Sequence, residues 1–218
     1  MITSSDPEYL ATKLIKQGNA KIAEPLRSLA DWIANTWNVN VLNVIYDKRN
    51  QIHGPRLQII LEYESDVSVF RTEFSFDENK TTAILAKYST LVDLRQLNSY
   101  DHLGQFVVFS AFRPIAKQEA DSQISTIQIS SLVDAIANPD IWTISRFYGY
   151  VTFLFYTDVQ VQKNQSLGMR KLYTEKYFSL LKPFDEFGYL SLDSYSIHFD
   201  SKENFDQNYE SNWYYYYK

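Results

Sequence analysis

Residues 141–161, IWTISRFYGYVTFLFYTDVQV, leave little choice of backbone. Most positions are β-branched or aromatic, the residue types that fit a pleated, half-buried surface. One glycine, Gly149, interrupts the run. The stretch reads as two strands broken at Gly149, and the rest of the chain must supply what covers them.

Two helices precede the first strands. Residues 6–17 follow Asp6-Pro7, a cap and a first-turn proline, and stop at Gly18-Asn19. The next helix starts near Pro25 and aligns Leu26, Leu29, Ile33 and Trp37 on one face. VNVLNVIYDK (39–48) and RLQIILEYES (56–65) read as an antiparallel hairpin across Gly54-Pro55. VSVFRTEFSF (67–76) alternates as a third strand, with Phe70, Phe74 and Phe76 towards the core. Residues 77–97 turn helical, and 105–116 form a strand that Pro114 ends or sends to an edge. The most polar stretch, EADSQIST (119–126), is the best internal boundary. A short helix capped by Ser130 or Ser131 follows, stopping before Pro139. Beyond the β-rich run come a helix over 166–184, with Met169, Leu172, Tyr173, Tyr177, Leu180 and Leu181 inward, and a strand over 189–199.

The expected fold is α+β, a single domain over 1–218 with mixed, mostly antiparallel sheet flanked by helices, and a possible two-lobed division near 119–126. A loose echo between VIYDKRNQ and FYTDVQVQKNQ is too short to establish a duplication.

Composition narrows the chemistry. The 45% hydrophobic and 16% aromatic fractions belong to a folded chain of 218 residues. There is no cysteine, which removes disulfides, thiol nucleophiles and thiolate metal sites. Six glycines leave no place for a Gly-rich phosphate cradle. No apolar run approaches the roughly 20 residues that span a bilayer, and MITSSDPEYL lacks a basic region followed by an apolar one. These features point to a soluble, cytoplasmic protein without a membrane role or cofactor.

Candidate catalytic patterns fail one by one. Glu62, Glu64 and Asp66 fall on one strand face, yet the Asp…Glu-x-Lys pattern of restriction-like nucleases would need lysine where Glu64 stands. His198 and Asp200 project from one strand face, short of the three or four ligands a metal needs. Asp101-His102 lies in a polar loop, and no G-x-S-x-G is present. No catalytic or metal residue is assigned. A metal-dependent hydrolase or nuclease using scattered carboxylates such as Glu62, Glu64 and Asp200 is the alternative function.

The charge draws attention to the end of the chain. Formal net charge is −5, and between Asp185 and Lys218 seven acids face two bases, so residues 1–184 are balanced. An acidic surface repels phosphate backbones and argues against nucleic acid. It suits a neutral or basic protein partner. The same segment ends in NWYYYYK. Read as a helix over 203–217, capped by Asp200 or Ser201 with Asp200-x-x-Glu203 as a capping box, it packs Phe205, Tyr209, Trp213 and Tyr216 on the body. Tyr214 and Tyr215 then point outward; an edge strand would also expose alternate tyrosines. Tyrosine offers large contact area with little rotamer entropy to lose. The expected partner-binding residues are therefore Asp200, Glu203, Asp206, Glu210, Trp213, Tyr214 and Tyr215. The expected function is non-enzymatic protein binding, by analogy of size and charge an immunity-type role that neutralises a basic toxin or nuclease.

Overall fold

The computed structural model describes residues 2–48, 55–94 and 106–218. The chain forms two compact units, Met1–Ile115 and Ala116–Lys218.

In the first unit, helices α1 (Pro7–Lys16) and α2 (Leu26–Trp37) lead into the hairpin β1 (Val41–Asp47) and β2 (Arg56–Leu61). Helices α3 (Glu64–Ser68) and α4 (Glu78–Leu94) then carry the chain to β3 (Phe106–Ala111). The sheet order is β1-β2-β3. β1 pairs antiparallel with β2, and β3 runs parallel to β2. Leu57, Ile59 and Leu61 bury one sheet face against Leu29 and Ile33 of α2 and Ile84 and Tyr88 of α4. Helix α5 (Arg113–Ser122) contains the division between the units.

The second unit repeats this plan. Helix α6 (Thr126–Ile136) precedes the hairpin β4 (Ile141–Phe147) and β5 (Tyr150–Phe155), then α7 (Asp158–Ser166), α8 (Met169–Leu181) and β6 (His198–Ser201). The order is β4-β5-β6, again with one antiparallel and one parallel pairing. Both sheets are mixed, and the fold is α+β. The likeness reaches individual bonds. The first hairpin shifts register between Val41 and Asn43, the second between Ile141 and Thr143. Leu61 pairs with Val41 and Ala111; Phe155 pairs with Ile141 and Ser201. Glu62 N–H donates to Asn40 O and Tyr156 N–H to Asp140 O; Arg113 N–H donates to Glu62 O and Glu203 N–H to Tyr156 O. The described part of VIYDKRNQ begins on β1, whereas FYTDVQVQKNQ runs from the end of β5 into α7, so the two segments occupy non-equivalent places. The repeat is one of architecture and does not run through that echo.

One equivalent contact has exchanged its acid. Asn40 Nδ2 donates to Asp66 Oδ2 at 3.4 Å in the first unit. In the second, Gln160 Nε2 donates to Asp140 Oδ1 at 3.1 Å. The carboxylate lies on the helix in one unit and before the strand in the other.

Several expectations are corrected. Residues 67–76 form no strand: Val67 and Phe70 are buried three residues apart, the spacing of a helical turn, and Phe74 is 91% exposed. Pro114 stands in the first turn of α5, so β3 ends without it. Ser125, rather than Ser130 or Ser131, caps α6 through a capping box with Gln128. The polar stretch 119–126 is the end of α5 and this cap. Helix α7 replaces the end of the β-rich run, and Leu172 of α8 is exposed. Asp6 holds the N-cap position of α1 with Pro7 in the first turn, but its carboxylate turns away from the helix and accepts from Thr3 N–H at 2.7 Å. The connection holding His53 and Gly54, and the loop holding Asp101 and His102, lie outside the described residues.

Candidate functional site

Two local structures in the second unit bring exposed rings together. The first is the β4–β5 hairpin, closed by the pair Phe147↔Tyr150 around Tyr148-Gly149. Both turn residues have positive φ, 47° at Tyr148 and 82° at Gly149. Such a turn matches the twist of its strands, and Asn-Gly is its preferred sequence. Tyrosine at the first position opposes the sterics of the left-handed region. It also leaves the Tyr148 ring 59% exposed at the hairpin tip.

The second is the end of the chain. The helix expected over 203–217 is two short helices, α9 (Lys202–Asn208) and α10 (Trp213–Tyr216). Ser201 caps α9 by accepting from Asn204 N–H, so Asp200-x-x-Glu203 is not a capping box. Asn212 caps α10 by accepting from Tyr214 N–H. Between them Glu210 and Ser211 take φ of 53° and 54°. That reversal folds α10 back over the sheet face opposite the core.

The rings form a continuous ladder. Trp142 stacks on Trp213 with centroids 6.1 Å apart, Trp213 on Tyr217 at 5.9 Å, and Tyr217 on Phe147 at 4.3 Å. Phe205, fully buried, supports Trp213 at 4.3 Å. Two phenols anchor the ladder to strands: Tyr216 donates to Asp200 Oδ2 at 2.6 Å, and Tyr217 shares a 2.6 Å hydrogen bond with Ser145. Burial raises the pKa of both phenols, and the Asp200 carboxylate raises that of Tyr216 further. They remain neutral hydrogen-bonding groups at physiological pH. Trp213 is still 39% exposed, Tyr215 46% and Tyr214 68%. Between β4 and α10 lies a cleft of about 450 Å³ walled by Phe147, Trp213, Tyr214 and Tyr217.

The predicted acids are placed less freely than the rings. Asp200 accepts from Tyr216, Asn204 and Ser201 N–H. Glu203 accepts from Asp158 N–H at 3.0 Å, at the start of α7. Asp206 pairs with Lys202 and Ser211, and the Lys202 hydrogen bond lowers its pKa. Glu210 is exposed on the reversal. Cations lie on the rings themselves, Lys202 Nζ 5.4 Å from Trp142 and Lys218 Nζ 5.8 Å from Tyr214. Arg146, beside the cleft, donates to the carbonyls of Asp121 and Ile124. Of the seven predicted residues, Trp213, Tyr214 and Tyr215 share the α10 surface, and three carboxylates hold the segment together. Trp142, Phe147, Tyr148 and Tyr217 complete the surface. Tyr217 belongs to the NWYYYYK run, Tyr148 is signalled by Tyr-Gly in a place that favours Asn-Gly, and Trp142 and Phe147 carry no signal of their own.

The carboxylates of the alternative function do not converge. β2 ends at Leu61, so Glu62, Glu64 and Asp66 share no strand face. Glu62 pairs with Lys16 at 2.7 Å, Glu64 with Arg113 at 2.8 Å, and Asp66 accepts from Asn40. Asp200 belongs to the other unit. Among the described residues no three His, Asp or Glu side chains are placed to hold a metal ion. His198 is exposed, 6.2 Å from the Tyr150 ring. Among the described residues, no helix is long and apolar enough to cross a membrane. No family model, curated protein or solved structure matches the chain.

Proposed function

We propose that this chain is a non-enzymatic protein-binding domain that docks its partner on the aromatic surface of β4, the β4–β5 turn and α10. The observation that carries the reading is the ring ladder itself. Stacked, anchored rings lose little freedom on binding, and Tyr and Trp dominate binding hot spots. A tyrosine held at positive φ on a hairpin tip is costly for folding; its ring packs edge-on against Phe147 at 4.6 Å and stays 59% exposed, which supports a role in contact.

The partner is a neutral or basic protein. With a formal charge of −5 and Asp200, Glu203 and Asp206 bonded internally, the acids act through the long-range field, and the rings make the contact. The finer form is an intracellular, immunity-type role in which a basic toxin or nuclease is neutralised on binding.

The test is affinity capture with the full chain followed by a measured Kd, wild type against Y148S/Y214S. The double variant is expected to bind at least about tenfold more weakly while keeping its fold by circular dichroism. Equal binding by a folded variant overturns the reading. For the finer form, co-expression of the chain should protect cells from the basic partner, and co-expression of the variant should not.

A further inference from the structure

The face that α10 covers in the second unit is the face that α1 covers in the first. In the first unit Asn43 of β1 donates to Thr12 of α1 at 3.1 Å, and the adjoining cleft is lined by Ile45, Tyr46 and Asp47. In the second unit the matching residues Ser145, Arg146 and Phe147 line the cleft against α10. The covering helix arrives from the N-terminal side in one unit and from the C-terminal side in the other. The sheet face therefore acts as a receptor for a helix, whichever way the chain delivers it.

The delivery in the second unit is strained. Glu210 and Ser211 are consecutive non-glycine residues in the left-handed region. Local bonds close the reversal: Ser211 N–H to Phe205 O at 3.2 Å, Asn212 N–H to Tyr209 O at 2.9 Å, and Ser211 Oγ to Asp206 at 2.6 Å. Beyond it, Tyr216 and Tyr217 dock by two hydrogen bonds and the ring stacks. None of those docking contacts depends on the hinge being closed.

We infer that residues 212–218 form an exchangeable strap whose second acceptor is the same face of another copy of this chain. Opening the hinge to an extended backbone releases the left-handed strain at both residues. Each strap then re-forms its bonds to Asp200 and Ser145 on the partner copy. The local hinge bonds favour the closed monomer at low concentration, and mass action favours the exchanged dimer at high concentration. The exchange does not rest on the proposed docking function: the strap carries α10, but its own bonds run through Tyr216 and Tyr217 and need neither Tyr148 nor Tyr214.

Light scattering on the full-length chain, from micromolar to millimolar concentration, tests the exchange. The expected result is a dimer that grows with concentration. E210G, which accepts positive φ without strain and keeps the Ser211–Asp206 hydrogen bond, should raise the dimer dissociation constant by about fivefold or more. Deleting Glu210 and Ser211 should prevent closure in one chain and give dimer at all concentrations tested. A wild type and a deletion variant that both stay monomeric overturn the inference. So does a dimer that is indifferent to the hinge and is lost in Y148S/Y214S, since that dimer would join ring surface to ring surface.

Discussion

The two units put the same backbone frame to different uses on the sheet face away from the core. In the first, α1 is secured by charge: Arg56 reaches Glu8 at 3.2 Å and Asp47 at 2.9 Å, beside a cleft of about 460 Å³. In the second, α10 is secured by rings and neutral phenols, beside a cleft of almost the same size. An ionic clasp turns its charges on one another and offers little to a partner. A ring ladder keeps exposed faces and edges after the helix has docked. The difference explains why the second unit, and not the first, presents a candidate docking surface.

The comparison breaks most severely at the core that each frame shares. Phe153, fully buried on β5 against Tyr173 and Tyr177, is expected to cost about 3–5 kcal/mol on replacement by alanine, measured by urea unfolding. The clasps themselves separate by salt. Arg56→Ala should cost about 1–2 kcal/mol, because it leaves two half-buried carboxylates facing each other, and added salt should reduce the loss. Tyr217→Phe should cost about 1 kcal/mol with no salt dependence. Equal salt responses would erase the contrast.

A third effect belongs to the second unit. Burial raises the pKa of Asp121, although Tyr177 donates to it and Arg146 stands 3.8 Å away. Between the unfolded value of about 4 and the raised folded value, the native state holds more protons than the unfolded chain. Stability is therefore highest below that window and falls as pH rises through it. Asp185 works the other way. Burial pushes it up, but Lys182 and the N–H groups of Leu190 and Tyr189 hold it low, so its stabilisation is lost as pH falls. Melting curves against pH should show Asp121→Asn flattening the first decline and leaving the acid-side loss intact. The smallest effect is at the hairpin tip. Tyr148→Asn should stabilise the fold by about 0.5 kcal/mol while weakening partner binding, because asparagine suits the left-handed turn. A destabilised variant would mean that Tyr148 is held by the fold itself.

The hairpins were legible in the sequence because β-branched runs broken at Gly149 or near Gly54-Pro55 are local signals. Helix α3 was not, because it is only five residues long and Val67, with Phe70 just beyond its end, fits a pattern that also suits alternation. The parallel pairings of β3 with β2 and of β6 with β5 were also hidden, since each joins residues far apart with no turn to announce it. The site divided along the same line. Trp213, Tyr214 and Tyr215 stood out by composition alone. Trp142 and Phe147 looked like ordinary strand formers, and only tertiary stacking recruits them. The acids were legible only as charge, because a sequence does not reveal which carboxylates also accept hydrogen bonds from neighbouring groups, as Asp200 does from Tyr216 and Asp206 from Ser211.

The exchanged acid between Asn40–Asp66 and Asp140–Gln160 limits how the two halves could be recombined. Transplanting α3 alone into the position of α7 would set Asp66 against Asp140, carboxylate against carboxylate. The reverse graft would set an amide against an amide and leave no charge at all. Helix and strand entry must move as one cassette, so any functional chimera of this chain has its crossover points fixed outside that pair.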